Sequence, residues 1–417
     1  MAKEQIITGL DIGTTSVRVA VGTLGDRQQG LQIIGISEQP SEGISKGVVT
    51  SIEDAVSSVS EALVKAERMT GIPIEHAYVA INGGDLRSEQ AHGVVAVAKA
   101  NGEIQEDDVE RVIEAAQTVA TPPNHEILHV IPRSFTVDNQ AGIKDPIGMS
   151  GIRLEVDAQI IQALSSQVKN LTKVIYRTGI DIDDIVLGIL ASSEAVLTKR
   201  QKELGVCLVN IGSTTTSMMV FEEGDVLHTA ILPVGSGHIT NDIAIGLRTS
   251  IDVAEKIKIN EGTAIPEEVN KHDEIDLSQY GPNETGTVSK KHVAEIIEAR
   301  LEELYKMIDR ELITAERSGL LPAGIIFTGG GAKLPGVVEV AKKQLRLPAS
   351  VGTPQEKLVT AIDRARDPLY ATALGLVAWG SVLLSDDRSQ GSGMSVNMKS
   401  IGQVSGKVRQ WFKSLLP

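Results

Sequence analysis

The chain has 417 residues, 41% of them hydrophobic and 23% charged, which is enough material for two domains of ordinary size. The net charge of −14 and an aromatic content of only 3% argue against nucleic acid as a partner. No apolar run reaches the about 18 residues that span a bilayer, and the start lacks a secretory signal, so we expect the body of the protein in the cytosol.

The N-terminal part predicts a three-stranded meander followed by a helix and a strand. Residues 10–21 run from a strand through a Gly-Thr turn into a second strand, and 31–36 form a third. Residues 50–69 have apolar side chains at helical spacing, a capping box that begins at Thr50, and a glycine stop at Gly71. A buried strand over 72–81 follows.

The middle of the chain predicts an inserted subdomain and then a repeat of the helix–strand unit. Residues 82–160 contain their own strands and a capped helix over 105–119. After them, 164–175 form an apolar stripe that Gly179 closes, and 180–190 predict a buried strand. The basic cluster at 199–202 indicates a solvated helix end.

The second half repeats the first meander. Residues 209–220 have the strand–turn–strand layout of 10–21, and 226–232 supply the third strand. A polar stretch over 262–289 precedes a helix over 291–316 and predicts an exposed elaboration. The single cysteine, Cys207, lies in an apolar run, and we interpret it as core packing.

Three glycine turns could together bind a nucleotide. In the first, Gly13 allows close backbone approach, the following amides and hydroxyls donate to phosphate oxygens, and Asp11 can hold magnesium through water. One such turn is a weak signal, but a second copy at 210–216 would face it from the duplicated domain. The turn after Thr328 supplies a flat glycine backbone for a purine and ribose.

In this order the loops resemble the actin, sugar-kinase and heat-shock-chaperone ATPase superfamily. Within it, residues 10–14, 232–244 and 328–332 resemble the FtsA family of bacterial cell-division proteins, and the resemblance covers essentially the whole chain. It implies an α/β fold with duplicated actin-like (ribonuclease-H-like) domains around a nucleotide cleft, an inserted α+β subdomain and a C-terminal amphipathic helix.

The resemblance also implies the residues that bind ATP and magnesium. Residues of the first two loops would bind the phosphates, with Asp11 at the metal, and the remainder would border the ribose and base. The set comprises Asp11, Gly13, Thr14, Thr15, Ser16, Gly212, Ser213, Thr214, Thr215, Gly235, Ser236, Gly237, Glu255, Lys258, Gly329, Gly330 and Gly331. For Glu255 and Lys258 a solvated helix face is an equally good interpretation.

Asn210 departs from the pattern of relatives that hydrolyse ATP, which usually carry an acid there. An amide cannot accept a proton or bring negative charge to the metal and the attacking water. Losing one such group costs several kcal/mol, or roughly some hundreds-fold in rate. We therefore expect ATP binding with weak or absent hydrolysis, and no catalytic residue is assigned.

The C-terminus predicts a membrane anchor. Its apolar residues form one helical stripe, its charged residues are basic, and no acid occurs from Met394 to the end. A single helix of this kind binds anionic lipid reversibly, so stable attachment needs several linked copies, as in a filament. The stripe consists of Ile401, Val404, Val408, Trp411, Phe412, Leu415 and Leu416.

These patterns divide the chain as follows. Domain I covers 1–81 and 161–204, interrupted by the inserted subdomain at 82–160. Domain II has its core at 205–245, an outer subdomain at 246–310, and a return through 311–384 to domain I. A flexible linker at 385–399 leads to the amphipathic helix at 400–417.

The family resemblance implies a protein that polymerises at the division site, on the cytoplasmic face of the inner membrane. It would tether the ring of the tubulin-like FtsZ by binding the FtsZ C-terminal tail through 246–310, and it would recruit later division proteins. The inserted subdomain would contact a neighbouring copy or those proteins. The alternatives are an actin-like pilus-assembly adaptor, which generally lacks a terminal anchor, and a small-molecule kinase.

Overall fold

The structure is a computed structural model that describes residues 5–25, 30–99, 101–118, 122–282, 284–358 and 362–389. Within these ranges the chain is an α/β protein with two five-stranded sheets and one four-stranded sheet. Among the described helices, none is long and apolar enough to cross a membrane. The predicted amphipathic helix and the last part of the predicted linker lie outside the described residues.

The first domain starts with the predicted meander. Its elements are β1 (Gln5–Ile12), β2 (Ser16–Leu24), β3 (Leu31–Pro40), β4 (Ile44–Ser45), β5 (Val48–Val49), α1 (Ile52–Thr70) and β6 (His76–Ile81). α1 begins after Ser51, whose hydroxyl accepts a hydrogen bond from the Asp54 amide, and ends at the left-handed Gly71. The predicted cap at Thr50 was one residue early, because Ser51 has the extended backbone that aims a hydroxyl into the first turn.

The insertion is an antiparallel sheet with one helix packed against it. It consists of β7 (Arg87–Ala96), α2 (Glu106–Gln117), β8 (His125–Val137), β9 (Gln140–Ile143) and β10 (Arg153–Leu164), with sheet order β7-β10-β8-β9. Valine and isoleucine side chains of α2 form a separate core with β8 and β10. The predicted boundary at 160 falls inside β10, which continues to Leu164 and enters the next helix directly.

The chain then completes the first domain and crosses to the second. This segment contains α3 (Ser165–Arg177), β11 (Asp181–Leu187), α4 (Gly188–Val196) and α5 (Lys199–Leu204). The strand predicted over 180–190 ends at Leu187, and its last three residues form the first turn of α4. An apolar run of this length looks the same in a buried strand and in a helix that is buried on every side, as α4 is.

Lys202 corrects the prediction that the cluster at 199–202 is a solvated helix end. It is 4% exposed, and its Nζ lies 2.7 Å from Glu194 Oε1 and 4.9 Å from the centre of the Phe221 ring. A buried cation is stable only when it is paired, and here both a carboxylate and an aromatic face partner it. Lys199 at the start of the same helix is exposed, as expected.

The second domain repeats the first. Its elements are β12 (Val206–Ile211), β13 (Thr216–Glu222), β14 (Asp225–Leu232), α6 (Ser236–Leu247), α7 (Ile251–Glu261), β15 (Glu274–Asp276), β16 (Thr287–Ser289), α8 (Lys290–Thr314), β17 (Ile325–Thr328), α9 (Val337–Leu345) and β18 (Ala349–Val351). The sheet orders β3-β2-β1-β6-β11 and β14-β13-β12-β17-β18 correspond strand for strand. The predicted duplication is therefore confirmed, and Cys207 of β12 is fully buried, as expected.

A last helix, α10 (Ala371–Ser389), returns the chain to the first domain. Its packing against α4 is so close that a Cβ on Gly375 would lie 1.9 Å from the Ala191 carbonyl oxygen. One core joins α4 and α10 to β1 and β12, so both domains share it. The segment predicted as a flexible linker from residue 385 is helical as far as Ser389, because α10 continues to that residue.

Candidate functional site

A cavity of about 440 Å³ lies between the two domains, where the glycine turns of the two sheets face each other. This volume falls within the range of small-molecule sites, about 300–1,000 Å³. Most of the predicted site residues line it. These are Asp11, Gly13, Thr14, Thr15, Gly212, Ser213, Thr214, Thr215, Ser236, Glu255, Lys258, Gly329, Gly330 and Gly331.

The first two turns have the same internal geometry. In the turn between β1 and β2, the Gly13 amide donates to the Ser16 carbonyl oxygen at 3.0 Å. In the turn between β12 and β13, the Gly212 amide donates to the Thr215 carbonyl oxygen at 2.9 Å. A Cβ on either glycine would lie 2.9 Å from that same oxygen, so both turns require glycine to close.

The two turns meet across the cavity. The Thr14 and Thr214 hydroxyl oxygens are 3.1 Å apart and hydrogen-bonded. The Thr14 oxygen also accepts a hydrogen bond from the Gly47 amide, in the hairpin between β4 and β5, at 3.1 Å. Hydroxyls and turn amides from both domains therefore converge on one point, which suits an anion with several oxygens.

Asp11 is a buried carboxylate at the end of β1. Burial raises its pKa, while the positive charge of Arg18 and a hydrogen bond from Asn82 lower it. The Asn82 amide donates to Asp11 Oδ1 at 3.2 Å, and Arg18 faces Asp11 across the antiparallel pair β1–β2. A divalent cation would compensate for this burial because it favours the charged carboxylate.

Arg18 is a second charged group at this end of the cavity. One of its terminal nitrogens donates to Glu38 at 2.9 Å, while its buried Nε has no hydrogen-bond partner in the described part of the chain. Arg18 lines the cavity, so its positive charge favours an anion there.

The third turn lies flat against β12. Gly329 has φ 82° and ψ 180°, a conformation that L side chains rarely adopt, and a Cβ there would lie 2.2 Å from Asn210 Oδ1. A Cβ on Gly331 would lie 2.3 Å from the Ile211 side chain. Apolar side chains continue this wall and suit a planar base, namely Ile239, Ile259, Leu334, Pro335 and Leu369.

Glu255 and Lys258 both line the cavity, and Lys258 is buried there while the Glu255 side chain is 44% exposed. Lys258 is 8% exposed, and its Nζ donates to Glu255 Oε2 at 2.6 Å and to the Thr240 hydroxyl at 2.8 Å. Lys258 Nζ also donates to the Ser236 carbonyl oxygen at 3.3 Å. The pair thereby ties α7 to α6 beside the second turn.

Three predicted residues support the cavity without lining it. Ser16 is the buried first residue of β2, and its carbonyl closes the first turn. A Cβ on Gly235 would lie 2.5 Å from the Gly212 carbonyl oxygen, and the Gly237 amide donates to the Ser213 carbonyl oxygen at 2.7 Å. Ser16 thus supports the first turn, and Gly235 and Gly237 support the second.

Several polar lining residues were not predicted: Arg18, Gly47, Asn82, Ser217, Lys333 and Thr372. A two-strand register over 11–18 would have placed Arg18 beside Asp11, since antiparallel partners are adjacent. Thr372 lies far from the glycine turns in sequence, and nothing local marks it.

These residues fit a nucleoside triphosphate with a magnesium ion. The turns offer amide and hydroxyl donors, Asp11 offers a buried carboxylate, and the apolar wall offers a surface for a base. No cluster of three or more histidine, cysteine or acidic side chains suited to hold a metal occurs among the described residues. A metal here would take its remaining ligands from water and phosphate.

Known families match most of the chain. The family model described as "Cell division protein FtsA" matches residues 207–375, and the one described as "SHS2 domain inserted in FTSA" matches 83–162, which confirms the predicted insertion. A "Cell division protein FtsA" of Pseudomonas aeruginosa is 39% identical over 95% of this chain and 93% of its own length. One of Bacillus subtilis is 40% identical over 90% of this chain and 84% of its own.

Solved structures share the fold. A "PilM-PilN type IV pilus biogenesis complex" chain superimposes with a TM-score of 0.67 at 16% identity, covering 90% of this chain and 98% of that one. "MreB5 of Spiroplasma citri bound to ADP" gives a TM-score of 0.56 at 13% identity, covering 93% and 99%. At these identities the likeness establishes the fold alone.

Proposed function

This chain belongs to the FtsA family of cell division proteins, and from that premise we propose that it is an actin-like, ATP-binding division protein that assembles at the membrane. The observation that carries the proposal is the pair of identical glycine turns facing each other across one cavity, with Thr14 and Thr214 in contact. Two converging sets of amides and hydroxyls suit a chain of phosphates better than a single charged group.

We assign roles to the cavity residues as follows. The turns at 13–15 and 212–215 bind the phosphates, and Asp11 holds magnesium through water. Glu255 and Lys258 border the ribose or base, and the backbone of 329–331 closes the pocket over the base. Magnesium neutralises the phosphate charge when it is bound, while Asn82 orients the Asp11 carboxylate by its hydrogen bond.

ATP acts here as an assembly ligand rather than as a rapidly consumed substrate. Asn210 occupies the end of β12 that corresponds to Asp11 on β1, and its neutral amide cannot activate water. We expect hydrolysis far below the about 10 turnovers per second of a median enzyme. Phosphate release at such a rate from purified protein contradicts this part of the proposal.

The rest of the proposal concerns partners and location. We propose that 401–417 binds the inner membrane from its cytoplasmic face, that the outer subdomain at 246–310 binds the FtsZ tail, and that the insertion at 82–160 contacts neighbouring copies or later division proteins. The division of the chain into domains belongs to the same proposal, except that the boundaries at 160 and 385 fall inside β10 and α10. Relatives named for cell division support it, and filament assembly supplies the avidity that a single reversible anchor lacks.

Two other functions fit the observations less well. The pilus-complex chain shares the fold at only 16% identity, whereas the division-protein relatives reach 39% and 40% over most of the chain. A small-molecule kinase would need a catalytic base, and the end of β12 that corresponds to Asp11 on β1 carries the neutral amide of Asn210. Phosphoryl transfer to a sugar or acetate by purified protein would revive that alternative.

Equilibrium binding of a fluorescent ATP analogue with and without magnesium tests the proposal. We expect saturable binding that magnesium strengthens, and Asp11→Asn should remove the magnesium effect because it deletes the charge and keeps the shape. Asp252→Asn, on the exposed start of α7 and outside the cavity, is the matched control. If the wild type binds no nucleoside triphosphate, the proposed role of the cavity is wrong.

A further inference from the structure

Asn210 forms hydrogen bonds with two buried hydroxyl groups, in addition to lacking the charge of an acid. Its Nδ2 lies 3.3 Å from the Thr372 hydroxyl oxygen and 3.5 Å from the Ser192 hydroxyl oxygen. The two hydroxyls are 2.9 Å apart, and Ser192 donates to the Gly188 carbonyl oxygen at 2.8 Å. Ser192 is fully buried and lies outside the cavity lining, so water does not readily replace a missing partner of its hydroxyl, whereas Thr372 is 4% exposed at the cavity wall.

Every hydrogen bond in this cluster has a proton only when residue 210 donates two of them. Four contacts need one proton each, those of Ser192 with Gly188, of Ser192 with Thr372, and of Asn210 with each hydroxyl. The two hydroxyls supply two protons, and the Asn210 amide supplies the other two. A carboxylate at position 210 donates no proton. Two of the four contacts would then bring two oxygen atoms together with no proton between them, which is costly beside the fully buried Ser192 hydroxyl.

The cluster also spans the two domains. Asn210 lies near the end of β12 and precedes the second glycine turn, whereas Ser192 is on α4 and Thr372 is in the first turn of α10. α4 and α10 pack tightly on each other, and α10 lies against β1 and β2 of the first domain. The Asn210 amide, which lines the cavity, therefore links the two domains by hydrogen bonds, and we call this cluster of Asn210, Ser192 and Thr372 the interdomain fastener.

We propose that Asn210 is a positioning residue that, through Ser192 and Thr372, sets the separation of the two glycine turns and so slows nucleotide release. The inference rests on the proposed nucleotide function of the cavity. An amide in place of an acid thus does more than weaken hydrolysis, because it holds the second turn against the helices that carry the first domain.

Ser192 allows a test that does not touch the ligand, because it does not line the cavity. Ser192→Ala should increase the dissociation rate of a fluorescent ATP analogue by roughly fivefold, the factor for the one neutral hydrogen bond that ties Ser192 to Asn210. Ser193→Ala is the matched control: it is equally buried on the same helix, and its hydroxyl bonds only within α4. The control should release nucleotide at the wild-type rate.

A double-mutant cycle tests whether Asn210 acts through the hydroxyls. In an Asn210→Ala background, Ser192→Ala should not increase the nucleotide dissociation rate further. If the two residues acted independently, the increases in rate from the two substitutions would multiply. Thr372→Val, which loses the hydroxyl, should release nucleotide faster than Thr372→Ser, which keeps it. Equal rates for the Ser192 and Ser193 variants, or multiplying effects in the double mutant, would overturn the proposal.

Amide hydrogen exchange separates this inference from the nucleotide proposal. Without any nucleotide, amides in the first two turns of α10 should exchange faster in Ser192→Ala than in the wild type or in Ser193→Ala. If the wild type fails to bind nucleotide while exchange still rises, the fastener is present and the nucleotide proposal has failed. Unchanged exchange in a folded Ser192→Ala protein contradicts the fastener itself.

Discussion

Gly329→Ala is expected to disrupt the cavity by a specific clash. The backbone at φ 82° and ψ 180° strains any residue with a Cβ by about 1–3 kcal/mol. The new methyl would lie 2.2 Å from Asn210 Oδ1, so the amide must move away from its two hydroxyl partners, which costs about 1 kcal/mol for each hydrogen bond. The total is about 3–5 kcal/mol, and it falls on the pocket wall that closes over the base.

The assay compares this variant with Gly71→Ala. Gly71 also has a positive φ, of 70°, but a Cβ there meets nothing within 4 Å, so the expected cost is only the left-handed strain of about 1–2 kcal/mol. The melting temperature should drop by roughly 6–20 °C for Gly329→Ala, at about 2–4 °C for each kcal/mol, and by about half as much or less for the control. ATP affinity should fall at least about tenfold in the first variant alone. Equal melting temperatures and unchanged ATP binding would refute the packing argument.

Two further predictions concern buried ionisable side chains away from the cavity. Burial lowers the pKa of His129 to about 4, so the folded state keeps it neutral, and the free energy of unfolding should fall by about 3 kcal/mol as the pH drops from 6.5 to 4. His129→Gln keeps an amide oxygen that can accept from the Leu187 amide, and its free energy of unfolding, measured by urea at a series of pH values, should change less between pH 6.5 and 4. An equal change in both proteins would contradict this prediction. Lys202→Ala leaves Glu194 unpaired and should destabilise the protein by about 3 kcal/mol, whereas Lys199→Ala on the exposed side should change urea unfolding by less than about 0.5 kcal/mol; similar values would show that Lys202 is not paired in solution.

The fold was predictable because both domains show the same local sequence pattern. Each meander has a glycine turn between two apolar strands, and each domain has a helix, a glycine stop and a buried strand. Those signals need only the spacing of apolar residues and glycines. One error fell at the strand end that became α4, where burial overrides local pattern. Another fell at the end of α10, because the polar composition after residue 384 predicts a linker whereas the helix continues to Ser389.

The candidate site was predictable only where a turn needs glycine. The three turns that line the cavity were found because a Cβ cannot fit there, which leaves a mark in the sequence. Thr372 and Asn82 reach the cavity from distant elements and carry no such mark. The partners of Asn210 were equally hidden, since the distance between β12 and α10 is set by tertiary packing.

The central claim is that nucleotide binding drives assembly on a membrane through the C-terminal segment. Sedimentation with anionic liposomes, with and without magnesium-ATP, tests it most directly when the full chain is compared with one ending at Ser400. We expect only the full chain to pellet, and ATP to increase the pelleted fraction. If both proteins stay in solution, or if both pellet equally, the membrane-tethered account is wrong.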